Sequence, residues 1–224
     1  MDERKTNFER KSKETEIKGV LNIDGKGVTK IKTPIGLLDH MMELFAFHGF
    51  FDLELEVKGD THIDIHHTNE DIGIVLGKAF KKALGEKEGI KRFGSAFAPM
   101  EATLGHSVVD ISGRGYLKID YSGGDLVAQE EITTEMLKVL SPGDTSKEPT
   151  KNQEYTFKHI KHFLESFAHQ LGANIVITIK HTESADLHTI METIFKSLGL
   201  ALDQATQIDP RRGGSVPSTK GIID

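Results

Sequence analysis

Two separated stretches of the chain match each other closely enough to decide the expected fold. "DHMMELFA" at residues 39–46 is followed by "HHTNEDIGIVLGKAF" at residues 66–80. A shift of 122 residues aligns these stretches, without a gap, with "KHFLESFA" at 161–168 and "HTIMETIFKSLGLAL" at 188–202. The shift places His40 on His162 and His66 on His188, so each copy holds two histidines at the same spacing. A repeat of this length indicates one supersecondary unit that occurs twice.

The residues around the repeat show both strand and helix periodicity. "FDLELEVKGD" at 51–60 alternates apolar and acidic residues, which predicts a half-buried antiparallel strand. "ETEIKGVLNID" at 14–24 predicts a strand that the following "GKG" ends in a hairpin turn. "HSVVDISGRGYLKIDY" at 106–121 predicts two strands around a glycine turn, and "GANIVITIKHT" at 172–182 predicts another strand. Helical spacing of apolar residues predicts four helices, at 37–49, 69–87, 156–172 and 187–205.

These elements predict an α+β fold made of a duplicated half-domain, with two sheets that each carry two helices about a pseudo-twofold axis. We expect the first half-domain at residues 1–95 and the second at 96–205. Residues 137–154 combine Pro, Gly, Ser, Thr and charged residues with little periodicity, which is typical of an inserted loop. Residues 206–224 form an irregular C-terminal tail.

Composition narrows the possible functions. The chain has 224 residues, of which 37% are hydrophobic and 28% charged, as in an ordinary soluble protein with a proper core. Its net charge of −6 argues against a nucleic-acid partner. The absence of cysteine excludes disulfides, thiolate metal sites and a cysteine nucleophile. No apolar run is long enough to span a membrane and the first residues are too polar for a signal peptide, so we expect a cytoplasmic protein without a membrane partner.

Each copy of the repeat contains a His and a Glu four residues apart at a helix start: His66 with Glu70, and His188 with Glu192. Residues at this spacing lie one turn apart on one helical face, so an imidazole and a carboxylate can bind the same ion. His67 should project about 100° away from His66 and belong to a different site. The pattern predicts two metal sites related by the pseudo-twofold axis. A solvated helix start with ordinary histidines is the alternative that these residues alone leave open.

Several longer segments carry a family resemblance. The segment at 36–80 resembles the signature region of imidazoleglycerol-phosphate dehydratases, and "KETEI" at 13–17, "GIKRFGSAFAPM" at 89–100, "DISGRGYL" at 110–117 and "DPRRGGSVPSTKG" at 209–221 are also similar. The resemblance implies a metal-dependent dehydration of imidazole glycerol phosphate to imidazole acetol phosphate in histidine biosynthesis. It also implies a homo-oligomer of 24 subunits, active sites at subunit interfaces, and two divalent metal ions, expected to be Mn, in each active site. Nitrogen and oxygen donors without cysteine would also admit Fe, Co or Zn.

The resemblance also implies the ligands of the two metal sites. One site is complete, with His40, His67, His188 and Glu192. The other retains His66 and Glu70, whereas Thr178 and Thr189 occupy its two remaining ligand positions, and His162 is not expected to be a ligand. We therefore expect the second site to bind metal poorly or to be empty without substrate. We also expect His40 to come from a different subunit than His188.

The family motifs imply roles for further residues. Glu14 is a candidate general base and, with His66 and Glu70, makes up the expected catalytic set. The expected substrate-binding residues are Glu14, His48, Arg92, Arg114, Lys196, Ser218, Thr219 and Lys220. Because two ligand positions of the second site hold threonine, a catalytically impaired or non-catalytic homologue that keeps the scaffold and one metal site is the alternative function.

Overall fold

A computed structural model describes residues 4–121, 155–181 and 187–223 of the chain. The first half contains β1 (Lys5–Lys11), β2 (Thr15–Asn22), β3 (Thr29–Lys32), α1 (Gly36–His48), β4 (Asp52–Gly59) and α2 (Ile65–Leu84). The second half repeats this order with β5 (Phe93–Met100), β6 (Thr103–Asp110), β7 (Tyr116–Tyr121), α3 (Phe157–Leu171), β8 (Asn174–His181) and α4 (Leu187–Thr206). A short 3-10 helix, Pro210–Arg212, lies within the C-terminal tail, which the sequence predicted to be irregular. The predicted duplicated α+β fold is confirmed.

The two sheets have the same topology, β1-β2-β4-β3 and β5-β6-β8-β7. In each sheet the last strand is parallel to its neighbour and the remaining pairs are antiparallel. The hairpin predicted at "GKG" is wrong, because β4 lies between β2 and β3. The two strands predicted at 106–121 exist as β6 and β7, but each pairs with β8 and they do not pair with each other. A local turn motif shows only where a strand ends. Which strands pair depends on the helix that connects them, α1 between β3 and β4 and α3 between β7 and β8.

The helices of the two halves pack against each other, α1 against α4 and α2 against α3, so that the helices lie between the sheets. Gly77 and Gly199, which are mates under the 122-residue shift, mark the two helix crossings. A Cβ at Gly77 would collide with the carbonyl oxygen of Phe167, and a Cβ at Gly199 would collide with that of Phe45. These close approaches hold the first turns of α2 and α4 beside α3 and α1.

Several boundaries differ from the sequence predictions. The charged N-terminal segment forms β1, whose inward position Arg10 makes an ion pair of 2.9 Å with Asp71 and therefore breaks the apolar alternation that identifies a strand. Helix α2 begins at Ile65, four residues before the predicted start, because the Asp64 carboxylate caps the helix by accepting a hydrogen bond from the His66 N–H at 2.8 Å. The loop predicted at 137–154 lies outside the described residues. Among the helices described, none is both long and apolar enough to cross a membrane.

Candidate metal centres

The first metal-ligand group joins His40 of α1 to His188 and Glu192 of α4. The Oε1 atom of Glu192 lies 2.8 Å from His188 Nε2 and 3.3 Å from His40 Nε2, and the two imidazole rings stack with centroids 5.4 Å apart. Each residue offers one donor atom, and the three donors lie within 4.8 Å of one another. Two imidazoles and a carboxylate are donors that suit a divalent transition metal such as Mn, Fe, Co or Zn.

Two of the expected substrate-binding residues lie beside this group. Lys196, one turn beyond Glu192 on α4, donates a hydrogen bond of 2.5 Å from its Nζ atom to the Oε2 atom of Glu192. Burial raises the pKa of the Glu192 carboxyl, but the hydrogen bonds from Lys196 and His40 outweigh burial, and the net pKa is below its ordinary value. At the end of α1, burial and the nearby charge of Lys196 lower the pKa of His48. Glu192 therefore carries an anionic carboxylate at neutral pH, and the lowered pKa of His48 favours its neutral imidazole.

The second group joins His66 and Glu70 of α2 to His162 of α3. The rings of His66 and His162 stack with centroids 4.4 Å apart, and His162 Nε2 lies 3.8 Å from Glu70 Oε1. The three donor atoms lie within 4.8 Å of one another, as in the first group. From the sequence we expected two donors in this group, His66 and Glu70, and did not expect His162. The repeat could have predicted His162 as the third donor. The 122-residue shift that pairs His66 with His188 also pairs His40, a donor of the first group, with His162.

The two threonines at the expected ligand positions lie in different surroundings. Thr178 is in β8 between Ile177 and Ile179, both of which are buried against the helices. Because side chains alternate along a strand, Thr178 projects from the opposite face of the sheet. A histidine at position 178 would therefore not reach the second group of its own chain. Thr189 is buried beside His188 in α4. The 122-residue shift pairs Thr189 with His67, so a threonine stands in the second copy where the first copy has a histidine.

His67 lies outside both three-donor groups of the described chain. Its Nδ1 atom is 3.4 Å from Asp60 Oδ2 and 4.0 Å from Glu14 Oε1, and the hydrogen bond with Asp60 raises the pKa of His67. The expectation that His40 and His188 come from different subunits is wrong, because His40 contacts the α4 group within one chain. Glu14, which lies between β1 and β2, is exposed on the same side of the molecule as His67.

The remaining expected substrate-binding residues include a cluster at the far end of α4. The Arg92 guanidinium donates hydrogen bonds of 2.6 and 3.1 Å to the carboxylate of Asp110 and one of 3.0 Å to the carbonyl oxygen of Pro217. Ser218 Oγ accepts a hydrogen bond of 3.2 Å from the Lys220 N–H, and Thr219 and Lys220 are exposed. Arg114 is exposed in the connection between β6 and β7.

This cluster is separated from both metal-ligand groups within one chain. The Arg92 N–H donates to the carbonyl oxygen of Ala205 at 2.8 Å. His188 precedes Ala205 by 17 residues on α4, and at about 1.5 Å per residue the two positions lie about 25 Å apart along the helix axis. The tail also bonds to the segment just after α2, where the Gly89 N–H donates to the Ser215 carbonyl oxygen, whereas His66 lies in the first turn of α2.

Comparisons with known proteins agree with this architecture. The family model for imidazoleglycerol-phosphate dehydratase matches residues 33–202. Imidazoleglycerol-phosphate dehydratases of Pelobacter propionicus and Geobacter metallireducens are each 44% identical to the chain over 220 residues, covering 98% of the chain and 99% of the relative. The crystal structure of the Pyrococcus furiosus dehydratase matches with a TM-score of 0.70 and 32% identity, covering 96% of this chain and 99% of that chain. With this fold, these metal-ligand groups and these relatives, the chain belongs to the imidazoleglycerol-phosphate dehydratase family of hydro-lyases.

Proposed function

We propose that the protein catalyses the divalent-metal-dependent dehydration of imidazole glycerol phosphate to imidazole acetol phosphate, a step of histidine biosynthesis. The observation that carries the metal dependence is the pair of three-donor groups, each of which joins a His–Glu pair of one half of the duplicated fold to a histidine of the other half. Isolated acidic or histidine clusters are common on protein surfaces, but here the same two residue types recur at mated positions on mated helices. Mn is the expected ion, and the donor set also suits Fe, Co and Zn.

The chemistry explains why histidine and carboxylate donors suit this reaction. The hydrogen to be removed is bonded to a carbon next to the imidazole ring and is a weak acid. Divalent cations would favour the anionic form of the substrate's ring, which can then accept the electrons left behind by the proton. Glu14 is the proposed base that accepts this proton, and its carboxylate lies on the same side of the molecule as His67. Arg92, Arg114, Lys196 and the tail residues Ser218, Thr219 and Lys220 supply cations and hydrogen-bond donors for the phosphate.

The separation within one chain supports an active site assembled from several copies. The Arg92–tail cluster lies about 25 Å along α4 from His188, too far for one small substrate to touch both. His67 would complete the first group as a fourth ligand if a neighbouring copy placed it there. We therefore infer a homo-oligomer, with 24 subunits as the assembly that the family implies.

The alternative of a non-catalytic homologue loses most of its support. It depended on two missing ligands in the second group, but His162 provides a third donor from the same chain. Thr189 remains the one clear departure, because it stands where symmetry with His67 would place an imidazole. The second group should accordingly bind its ion more weakly than the first.

Metal removal and restoration test the proposed function. Protein treated with a chelator and dialysed should not convert imidazole glycerol phosphate, and added Mn should restore turnover as the bound metal rises. His188→Ala should abolish both metal binding at the first group and turnover. His169→Ala, an exposed histidine of α3, is the matched control and should change neither. Full turnover by the metal-free protein would contradict the metal dependence, and absence of turnover by the metal-loaded protein would favour the non-catalytic alternative.

A further inference from the structure

The hairpin between β1 and β2, which carries Glu14, is attached to α2 by a buried polar cluster of Arg10, Thr15 and Asp71 (the Asp71 cluster). The Thr15 hydroxyl donates a hydrogen bond of 2.5 Å to Asp71 Oδ2, and Arg10 Nη2 makes an ion pair of 2.9 Å with Asp71 Oδ1. The Asp71 side chain is only 8% exposed, and Thr15 is also buried. Because Arg10 belongs to β1 and Thr15 to β2, one carboxylate of α2 holds both strands of the hairpin.

The backbone of Glu14 is connected to this cluster by hydrogen bonds. Ser12 Oγ accepts hydrogen bonds of 3.1 and 3.0 Å from the N–H groups of Glu14 and Thr15. Since the Thr15 hydroxyl donates to Asp71, the Ser12 hydroxyl is the donor in its 3.2 Å contact with Thr15 Oγ1. On the other side, the carbonyl oxygen of Glu14 accepts a hydrogen bond of 3.1 Å from the Asp60 N–H. The position of Glu14 therefore depends on the attachment of the hairpin to Asp71.

One face of α2 meets the hairpin at two successive turns. His67 and Asp71 are four residues apart and lie on the same helical face. Glu14 Oε1 lies 4.0 Å from His67 Nδ1, and one turn later Thr15 bonds to Asp71. Glu70, which directly precedes Asp71, is a donor of the second metal-ligand group. The same contacts thus set the Glu14 carboxylate relative to the metal donors of α2.

The second half of the protein shows that the duplicated fold does not require the Asp71 cluster. The strand registers and the 122-residue shift match four residues of the first half, Arg10, Glu14, Thr15 and Asp71, with Ala98, Ala102, Thr103 and Thr193 in that order. The Thr103 hydroxyl is buried and has no hydrogen-bond partner among the described residues. The second half therefore forms the same hairpin with neither the carboxylate of Glu14 nor the buried ion pair.

We propose that Asp71 is a positioning residue for the dehydration, which holds the Glu14 hairpin on α2 so that the Glu14 carboxylate keeps its place beside the substrate. Burying an ion pair removes its hydration, and this cost can exceed the attraction between the charges. Arg10 Nε is also buried without a hydrogen-bond partner in the part of the chain that the structure describes. The first half keeps this costly arrangement where its hairpin carries the proposed base. The inference rests on the proposed function, in which Glu14 accepts the substrate's proton.

Replacing the cluster with its counterpart from the second half tests this role. Arg10→Ala combined with Asp71→Thr installs the residues that the second half has at the matched positions, so the far-UV circular dichroism spectrum should be unchanged. We expect kcat to fall at least about tenfold, because misplacing a reacting group by about 1 Å can cost about 100-fold in rate. KM and the metal content measured by elemental analysis should be unchanged. An unchanged kcat, or a loss of metal that accounts for the fall in kcat, would overturn the inference.

A milder substitution covers the case in which the double variant fails to fold. Thr15→Val removes the hydroxyl that bonds to Asp71 and keeps a side chain of similar shape, so kcat should fall. Thr15→Ser keeps the hydroxyl and should retain kcat. Thr103→Val, the matched control in the second half, should have the kcat of the unmodified protein. Equal kcat values in Thr15→Val and Thr103→Val would contradict the positioning role.

A double-mutant cycle with Glu14→Gln distinguishes positioning from a general structural effect. If the Asp71 cluster acts through Glu14, adding Thr15→Val to Glu14→Gln should not lower the residual kcat further. The residual rate is measured with enzyme in excess of substrate, so that slow turnover is detectable. Additive losses, or full activity of Glu14→Gln, would overturn the inference. Absence of turnover by the metal-loaded unmodified protein would instead refute the proposed function, so the two failures are distinguishable.

Discussion

At the scale of single residues, the metal-ligand groups depend on pairs of mates under the repeat. His40 and His162 each project from the first helix of their half towards a His–Glu pair on a helix of the other half. The α2 and α4 pairs are visible from their local spacing. The α1 and α3 members lie 152 and 92 residues away from the glutamates they accompany, so only the repeat connects them in the sequence.

Substitution of these two histidines should remove one ion each. His162→Ala should lower the metal content of the second group and leave the first intact, and His40→Ala should do the reverse. Loss of a hydrogen-bonding neighbour of a ligand weakens metal binding by about 10–100-fold, so loss of a direct donor should cost at least about 100-fold. Elemental analysis after dialysis measures the effect, with His169→Ala as the control. Two ions retained in His162→Ala would show that this residue is not a ligand.

At the scale of elements, the helix crossings at Gly77 and Gly199 set the distance between the members of each group. Each glycine lets the backbone of one helix approach the carbonyl oxygen of a phenylalanine on the other helix. A methyl group at either position must push the helices apart or distort them. The ligand geometry in the first turns of α2 and α4 therefore depends on small residues two or three turns away.

Gly199→Ala tests this dependence. Overpacking at a buried crossing typically costs about 1–3 kcal/mol, so the free energy of unfolding should fall by that amount in urea denaturation. Gly36→Ala is the matched control, because a Cβ at Gly36 meets no atom within 4 Å. Replacing glycine where the backbone permits it is neutral or stabilising by about 0.4–1 kcal/mol. An equal effect of the two substitutions would argue against the crossing as the cause.

The stability of the 3-10 helix within the tail should depend on pH, because its Asp209 carboxylate has a lowered pKa. Hydrogen bonds from the Arg211 guanidinium, at 2.8 and 2.6 Å, and from its backbone N–H lower the pKa of Asp209 from 3.8 to about 2. A carboxyl with a depressed folded pKa stabilises the fold fully above its unfolded pKa, and this contribution is lost as the pH falls from 3.8 towards about 2. In Arg211→Ala the pKa should return towards 3.8, as measured by carboxyl NMR titration. Arg212→Ala should shift it less, and an unchanged pKa in Arg211→Ala would contradict the assignment.

At the scale of the whole molecule, the metal-ligand groups and the Arg92–tail cluster lie at opposite ends of the helix layer. The backbone bond between Arg92 and Ala205 fixes the cluster at the C-terminal end of α4, and His188 and Glu192 lie near its N-terminal end. Under the proposed function, one chain presents two incomplete parts of an active site, and a second chain would be needed to bring them together.

Mixed oligomers provide the corresponding test. His188→Ala removes a proposed metal ligand and Lys220→Ala removes a tail cation, so the first variant alone should be inactive and the second alone should turn over slowly. When dissociated chains of both variants are mixed and reassembled, some sites should combine an intact metal-ligand group with an intact tail, and activity should exceed the sum of the two parents. A mixture of His188→Ala with Glu192→Ala, which damage the same group, should show no such gain. A gain absent from the first mixture would indicate that each active site comes from a single chain.

The sequence by itself determined the features that contiguous residues encode. Periodicity predicted the four helices, the 122-residue shift predicted the duplicated α+β fold, and His-x-x-x-Glu spacing predicted two of the three donors of each group. Tertiary structure decided the features that depend on packing between distant elements. Strand pairing around β4 and β8 depends on the helix that crosses between the paired strands. The addition of His162 to its group and the exclusion of His67 follow from which helix faces meet across the core. Local spacing fixes the direction of a side chain on its own helix, but helix packing alone fixes which distant side chain it meets.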